Sequence, residues 1–165
     1  MSNLLVKDPV AIFLTINSIG IIFSFPGFNE NKIGELASAQ AISASTNTTL
    51  AFATEIFDQN ADFASNTFTA PVTGKYQLSF NIRLQQLQSD SSYVLINIQT
   101  SNRTYQHILA VAPHVDADVG YQHFSNSLLC DMDANDTASV TVRLASGAAQ
   151  TDLATDSYFS GYLVA

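Results

Sequence analysis

Thirteen consecutive residues from Lys75 to Leu87, "KYQLSFNIRLQQL", set the strongest constraint on the fold. Tyr76, Leu78, Phe80, Ile82 and Leu84 fall on one side, and Gln77, Ser79, Asn81, Arg83 and Gln85 on the other. A period of two over ten residues fits a β-strand with one face in a core and one outside it. A helix would scatter the same residues around its axis. "SVTVRLA" repeats the pattern through Val140, Val142 and Leu144, and "SYVLINIQT", "TYQHILAVA", "YQHFSNSLLCDM" and "LAFATEIF" add four candidate strands. Turn-rich clusters ("DQNAD", "PVTG", "QSDSS", "SNR", "DANDT" and "ASGAAQTD") separate them. Close spacing without an intervening helical period predicts an all-β sandwich or barrel. The stretch from Glu30 to Ala44 is Ala-rich but lacks an apolar stripe, so it fits a helix or an extended first strand equally.

Two regions are expected. Residues 1–35 form an apolar N-terminal arm with the polar link "NENKIGE", and residues 36–165 form one β domain. The arm holds "PVAIFLTINSIGIIFSFPGF", Pro9 to Phe28, which polar residues interrupt and in which β-branched and aromatic residues dominate. That composition favours strand over a membrane span. Lys7 is offset by Asp8, and the only small-residue cleavage pattern ends at Ala39, well past the apolar run, so a secretion signal is not expected. The expected role is docking onto other protein through Ile12, Phe13, Leu14, Ile21, Ile22, Phe23 and Phe25.

Charge narrows the partners. The net charge is −8, and the six Lys and Arg form no cluster, which argues against a nucleic-acid backbone as ligand. Only 12% of residues are charged, a level that suits large protein–protein contacts, whose centres are depleted of charge. No nucleophile elbow, zinc motif, P-loop or dinucleotide fingerprint occurs, so no enzymatic activity is expected. His107, His114 and His123 stand in no metal-ligand spacing, and the lone Cys130 reads as a buried small hydrophobe. Asp116 and Asp118, in a loop with Pro113 and Gly120, are the candidate calcium ligands, although Asp is also an ordinary turn residue. The sequons at Asn47, Asn102 and Asn135 matter only in a secretory pathway.

Four segments resemble one family. "FTAPVTGKYQLSFNI" is similar to the signature of the complement C1q globular head, with Pro71, Gly74, Tyr76 and Phe80 in place and Leu78 where an aromatic is usual. "EIFDQNADFASNTF" resembles the preceding segment, through Phe57, Asp58 and Phe63. In "DMDANDTASVTVRL" the pair Asn135-Asp136 stands for a Gly-Asp turn, and "SYFSGYLVA" is similar to the closing strand through Phe159, Ser160, Gly161, Tyr162 and Leu163. The likeness covers about residues 40–165. It implies a ten-stranded antiparallel jelly-roll sandwich, shared with tumour necrosis factor, that forms a compact homotrimer without catalysis.

By the same likeness Tyr76, Leu78, Phe80 and Tyr162 fill the core. Phe159, Gly161 and Leu163, with Gln77, Ser79 and Asn81, meet sister chains at the threefold axis, Gly161 allowing close approach. Some relatives bind calcium near that axis. Members with a short arm in place of a stalk resemble phage and other virion-surface proteins. The implied function is a capsid decoration or fibre head on the virion surface. Residues 1–28 would join other virion structural proteins, and the outer loops would be open to a host glycan or receptor. The alternative is a secreted or cell-surface protein- or carbohydrate-binding domain. A hydrolase or lyase on a jelly roll lacks its His-rich metal motif.

Overall fold

A computed structural model of the chain describes residues 13–17, 20–24, 32–58, 60–112, 114, 116–147 and 151–164. In chain order the strands are β1 (Phe13–Asn17), β2 (Gly20–Ser24), β3 (Lys32–Glu35), β4 (Gln40–Ile42), β5 (Thr48–Thr49), β6 (Thr54–Phe57), β7 (Phe63–Ala64), β8 (Thr67–Thr69), β9 (Gly74–Leu87), β10 (Tyr93–Thr100), β11 (Thr104–Ala110), β12 (Val119–Met132), β13 (Thr137–Ala145), β14 (Thr151–Leu153) and β15 (Tyr158–Leu163). β1 and β2 pair as an antiparallel hairpin. The other strands form two antiparallel sheets, which stack as a jelly-roll sandwich.

In the front sheet β9 is central. β12 runs along one of its edges, and β15 and then β14 share the other. β15 leads on to β3 and β6, and β14 to β4. In the back sheet β10 lies between β11 and β13; the far edge of β13 takes β5 and β8, with β7 beyond.

The alternating side of β9 meets the β-branched side of the back sheet. Tyr76, Leu78, Phe80, Ile82 and Leu84 pack in one core with Val94, Ile96 and Ile98 of β10 and with Val140, Val142 and Leu144 of β13. Branched side chains suit a pleated, half-buried surface. The one polar atom that Tyr76 carries inward is satisfied, because its hydroxyl donates to the Val72 carbonyl at 2.6 Å. Near the end of β9 the backbone of Gln86 is left-handed (φ 56°), which puts one residue out of step and buries Leu87 beside Leu84.

Four expectations change. The sandwich holds thirteen strands in place of ten, because turns divide its margins into two- and three-residue pieces such as β5, β7 and β14. "LAFATEIF" becomes a strand only at Thr54–Phe57. Of the two readings left open for Glu30 to Ala44 the strand holds, as β3 and β4, with no helix among its described residues. β3 pairs with β15, so Lys32–Glu35 belongs to the sandwich although the sequence reading placed it in the arm.

The fourth change concerns β15, whose two sides are reversed. Phe159 is 3% exposed, with its ring stacked on Phe52 at 6.1 Å and tilted against Phe63 at 6.3 Å. Gly161 is buried, and Leu163 packs partly buried against the core. A Cβ on Gly161 would lie 2.6 Å from Leu78 Cδ2, so the close approach that glycine permits is to this subunit's own core, not to a sister chain. Tyr162, expected in the core, is 42% exposed. The reason is register. Tyr158, Ser160 and Tyr162 stand directly opposite Asn81, Ser79 and Gln77, and residues opposite one another across antiparallel strands share a face. A one-residue slip reverses every side chain of a strand.

Candidate functional site

The centre of the outer face of the front sheet combines apolar exposure with an absence of charge, the nearest charge being Glu35 of β3 opposite Tyr158. Three rows cross β15, β9 and β12: Tyr162–Gln77–Leu129, Ser160–Ser79–Ser127 and Tyr158–Asn81–Ser125. None of these nine residues is charged. The middle row is a hydroxyl cluster in which Ser79 Oγ and Ser127 Oγ lie 2.8 Å apart and Gln77 Nε2 donates to Ser127 Oγ. Around it lies a depression of about 520 Å³ lined by Ser79, Asn81, Ser125, Ser127, Tyr158 and Ser160. Large apolar side chains border this band. Tyr162, Leu129 and Val164 are exposed at one end and Tyr121 at the other.

Charge appears only beyond the band, already paired or at the margin. Arg83 forms an ion pair with Asp156, Nε to Oδ1 at 2.9 Å, and its guanidinium lies 5.0 Å from the centre of the Tyr121 ring. Arg103 pairs with Asp131 at 3.3 Å. Small hydroxyl side chains keep the centre flat, and exposed aromatic and aliphatic groups gain most from leaving water. This is the chemistry of a protein–protein contact with a charge-depleted centre.

Of the residues expected at an interface, Gln77, Ser79 and Asn81 lie on this face, whereas Phe159 and Gly161 lie inside the core. Sequence reading missed Tyr158, Ser160 and Tyr162 on β15, Val164 just after it, and Tyr121, Ser125, Ser127 and Leu129 on β12. The alternation of Phe124, Leu128, Cys130 and Met132 against them was available as a signal. Of the arm residues, Ile12 and Phe25 lie outside the described residues. Phe13, Leu14, Ile21, Ile22 and Phe23 belong to the β1–β2 pairing.

The calcium candidates stand apart from this face. Asp118 Oδ1 accepts from the Ser89 N–H at 2.9 Å and from its hydroxyl at 3.0 Å. These two bonds hold its carboxyl below the usual carboxylate range and tie its loop to the distant one at Ser89. Asp116 is exposed, and among the described residues no group of three His, Cys, Asp or Glu could hold a metal ion. His107 points inward, edge-on to Phe80 at 6.0 Å and to Phe124 at 6.2 Å, while His123 is exposed on β12.

Cys130 is buried on the core side of β12, with Sγ 3.6 Å from the Tyr76 carbonyl oxygen. Burial above all, helped by the charge of Asp131, pushes its thiol up to about 11. An unfolded thiol ionises near 8.5, so above that pH the unfolded chain sheds a proton that the folded one keeps. The stabilisation is complete below about pH 8.5 and is lost as pH rises to about 11, a loss on the order of 2–3 kcal/mol. Urea unfolding should show a midpoint that falls from pH 8 to pH 11, and Cys130→Ala should flatten that fall. Iodoacetamide should label the thiol only after unfolding; rapid labelling of native protein at pH 8 would contradict this burial.

A family model described as the C1q domain matches residues 36–164. Among solved structures, the globular domain of zebrafish complement 1qA superposes with a TM-score of 0.60 at 13% identity, covering 83% of this chain and 98% of that one. Eiger TNF from S. frugiperda gives a TM-score of 0.57 at 13% identity over 82% and 91% of the two chains. Murine APRIL gives 0.56 at 10% identity over 82% and 100%. No curated protein matches the sequence significantly.

Proposed function

The chain belongs to the C1q-domain family, and from that premise we propose that it is a non-enzymatic, homotrimeric recognition module assembled through the outer face of β9, β12 and β15. Domains of this family and their TNF-like relatives are generally binding modules that form homotrimers, engage receptors or other ligands, and are typically extracellular or secreted. The uncharged band from Tyr162 to Ser125 carries the reading. A threefold axis brings three copies of one face together, so any charge at its centre meets its own copies. Serine and asparagine avoid that repulsion.

The finer proposal gives the trimer a place. Residues 1–28 anchor it to a larger assembly, a virion surface, and leave the far loops open to a host receptor or glycan. The apolar content of the arm supports a docking role. The second reading, a secreted recognition domain, rests on the typical location of the family.

Light scattering of the full chain at micromolar concentration should give three times the subunit mass, and a folded monomer would sink the assembly. Deleting residues 1–28 should leave the trimer intact. If the particle reading holds, the shortened trimer no longer joins purified virions. Unchanged incorporation would refute the anchoring role.

A further inference from the structure

A cleft of about 490 Å³ opens at the end of the sandwich where three turns come together: the one before β9, the one between β10 and β11, and the one between β12 and β13. Small-ligand sites run from about 300 to 1,000 Å³. The polar lining is Thr73, Lys75, Asn102, Asp131 and Asp133. Lys75 and Asp131 stand directly opposite each other on β9 and β12, one row beyond the Tyr162–Gln77–Leu129 end of the uncharged band. The cleft therefore lies at the rim of the proposed subunit contact, and each subunit holds a complete copy.

Its walls are tied to one another. Asp136 Oδ2 accepts from Asn102 Nδ2 at 2.7 Å and from the Asp133 N–H at 2.8 Å, which joins the β10–β11 turn to the β12–β13 turn. The Ala134 N–H donates to Thr73 Oγ1 at 3.1 Å and the Asn135 N–H to the Ala70 carbonyl at 2.8 Å, which adds the turn before β9. A preformed site loses little affinity to the ordering of its own loops.

What these bonds leave over is exposed and mostly accepting. Asn102 commits its amide nitrogen, while its Oδ1 accepts nothing among the described residues. Asp133 takes only a 3.4 Å contact from the Thr73 hydroxyl on its carboxylate. Asp131 is reached by Arg103 at 3.3 Å with its side chain 66% exposed. Lys75 is exposed and forms no ion pair among the described residues. Lys75 and Arg103 stand against Asp131 and Asp133, and Asp136 is taken up by the turns. A cationic ligand would meet the first pair and an anionic one the second, at a like-charge cost either way. A neutral polyol meets neither penalty. Its hydroxyls donate to the carboxylate and the amide oxygen and accept from the ammonium.

We propose that this cleft binds the neutral sugar end of a glycan, with Asp133 and Asn102 Oδ1 accepting from ring hydroxyls and Lys75 donating to a further sugar oxygen. The proposal rests on the recognition role above and names the ligand class that its loops take.

The test applies saturation-transfer NMR to the full-length protein with lactose, maltose, methyl α-mannoside and chitobiose, and calorimetry to any that binds. At least one should bind. Lys75→Met and Asp133→Asn should each weaken it by about tenfold or more, the effect of one charge-assisted hydrogen bond. Both side chains are exposed, so the melting temperature and the mass should stay those of the parent. Gln106→Ala, exposed on β11 outside the cleft, should bind as the parent does. The proposal falls if none of these sugars binds, if either cleft variant binds as well as the parent, or if trilysine displaces the sugar, which would make the site one for a basic peptide. The mass of each sample is read alongside. A trimer that binds no sugar overturns this inference alone, and a monomer that binds one upholds it while overturning the assembly.

Discussion

Replacing Phe159 by aspartate is expected to leave no folded subunit. The Phe159 ring lies between Phe52 and Phe63, and its strand position is directly opposite Phe80. Removing a buried phenyl ring alone costs about 3–5 kcal/mol through lost burial and the cavity that remains. The aspartate would then have to be dehydrated with no cation beside it, or protonated to avoid that cost. The total reaches the whole stability of an ordinary domain, about 5–15 kcal/mol. Near-UV circular dichroism and urea unfolding of the purified variant give the measurement. Phe159→Leu, which keeps an apolar side chain, should stay folded with a lower midpoint. A Phe159→Asp protein with native near-UV signal and a parental melting temperature would place Phe159 outside the core and revive the opposite assignment of β15.

That reversal marks where the sequence stopped being legible. On β9 every large apolar residue from Tyr76 to Leu84 falls on one side, and only polar residues fall on the other. Burial of the first set then follows without any knowledge of neighbours. On β15 both sides carry large apolar rings or chains: Tyr158 and Tyr162 against Phe159 and Leu163. Alternation divides them correctly but has no means of ranking the two sets. The missing information is the pairing of Tyr162 with Gln77, a long-range fact of register.

Chemistry offered a partial hint, since a tyrosine hydroxyl requires a partner or water and a phenyl ring requires neither. The short edge strands escaped for a related reason. β5 and β7 hold two residues each, fewer than a period-two pattern needs to be seen. The cleft at the end of the sandwich was equally hidden. Lys75, Asn102 and Asp133 look like ordinary strand-end and turn residues until the bonds between their turns bring them together.

A single arginine at Ser79 should separate the subunits without unfolding them. Ser79 stands in the middle row of the uncharged band, half-buried, with its hydroxyl against that of Ser127. In the isolated subunit an arginine there reaches solvent, so the sandwich loses one exposed hydrogen bond and little else. In the trimer three guanidinium groups are brought toward one axis with no carboxylate in the band to receive them. Each uncompensated buried charge costs on the order of 3–5 kcal/mol, and the threefold axis applies that cost three times.

The mass measured by light scattering should fall to one subunit while the far-UV spectrum stays that of the parent. Tyr162→Asp should act in the same direction at the apolar end of the band. The melting temperature of both should drop and lose its dependence on protein concentration, because association no longer stabilises the folded state. Thr104→Arg, on exposed β11 of the other sheet, should leave the mass unchanged. A Ser79→Arg protein that remained trimeric with the parental melting temperature would mean that the subunits meet through some other surface.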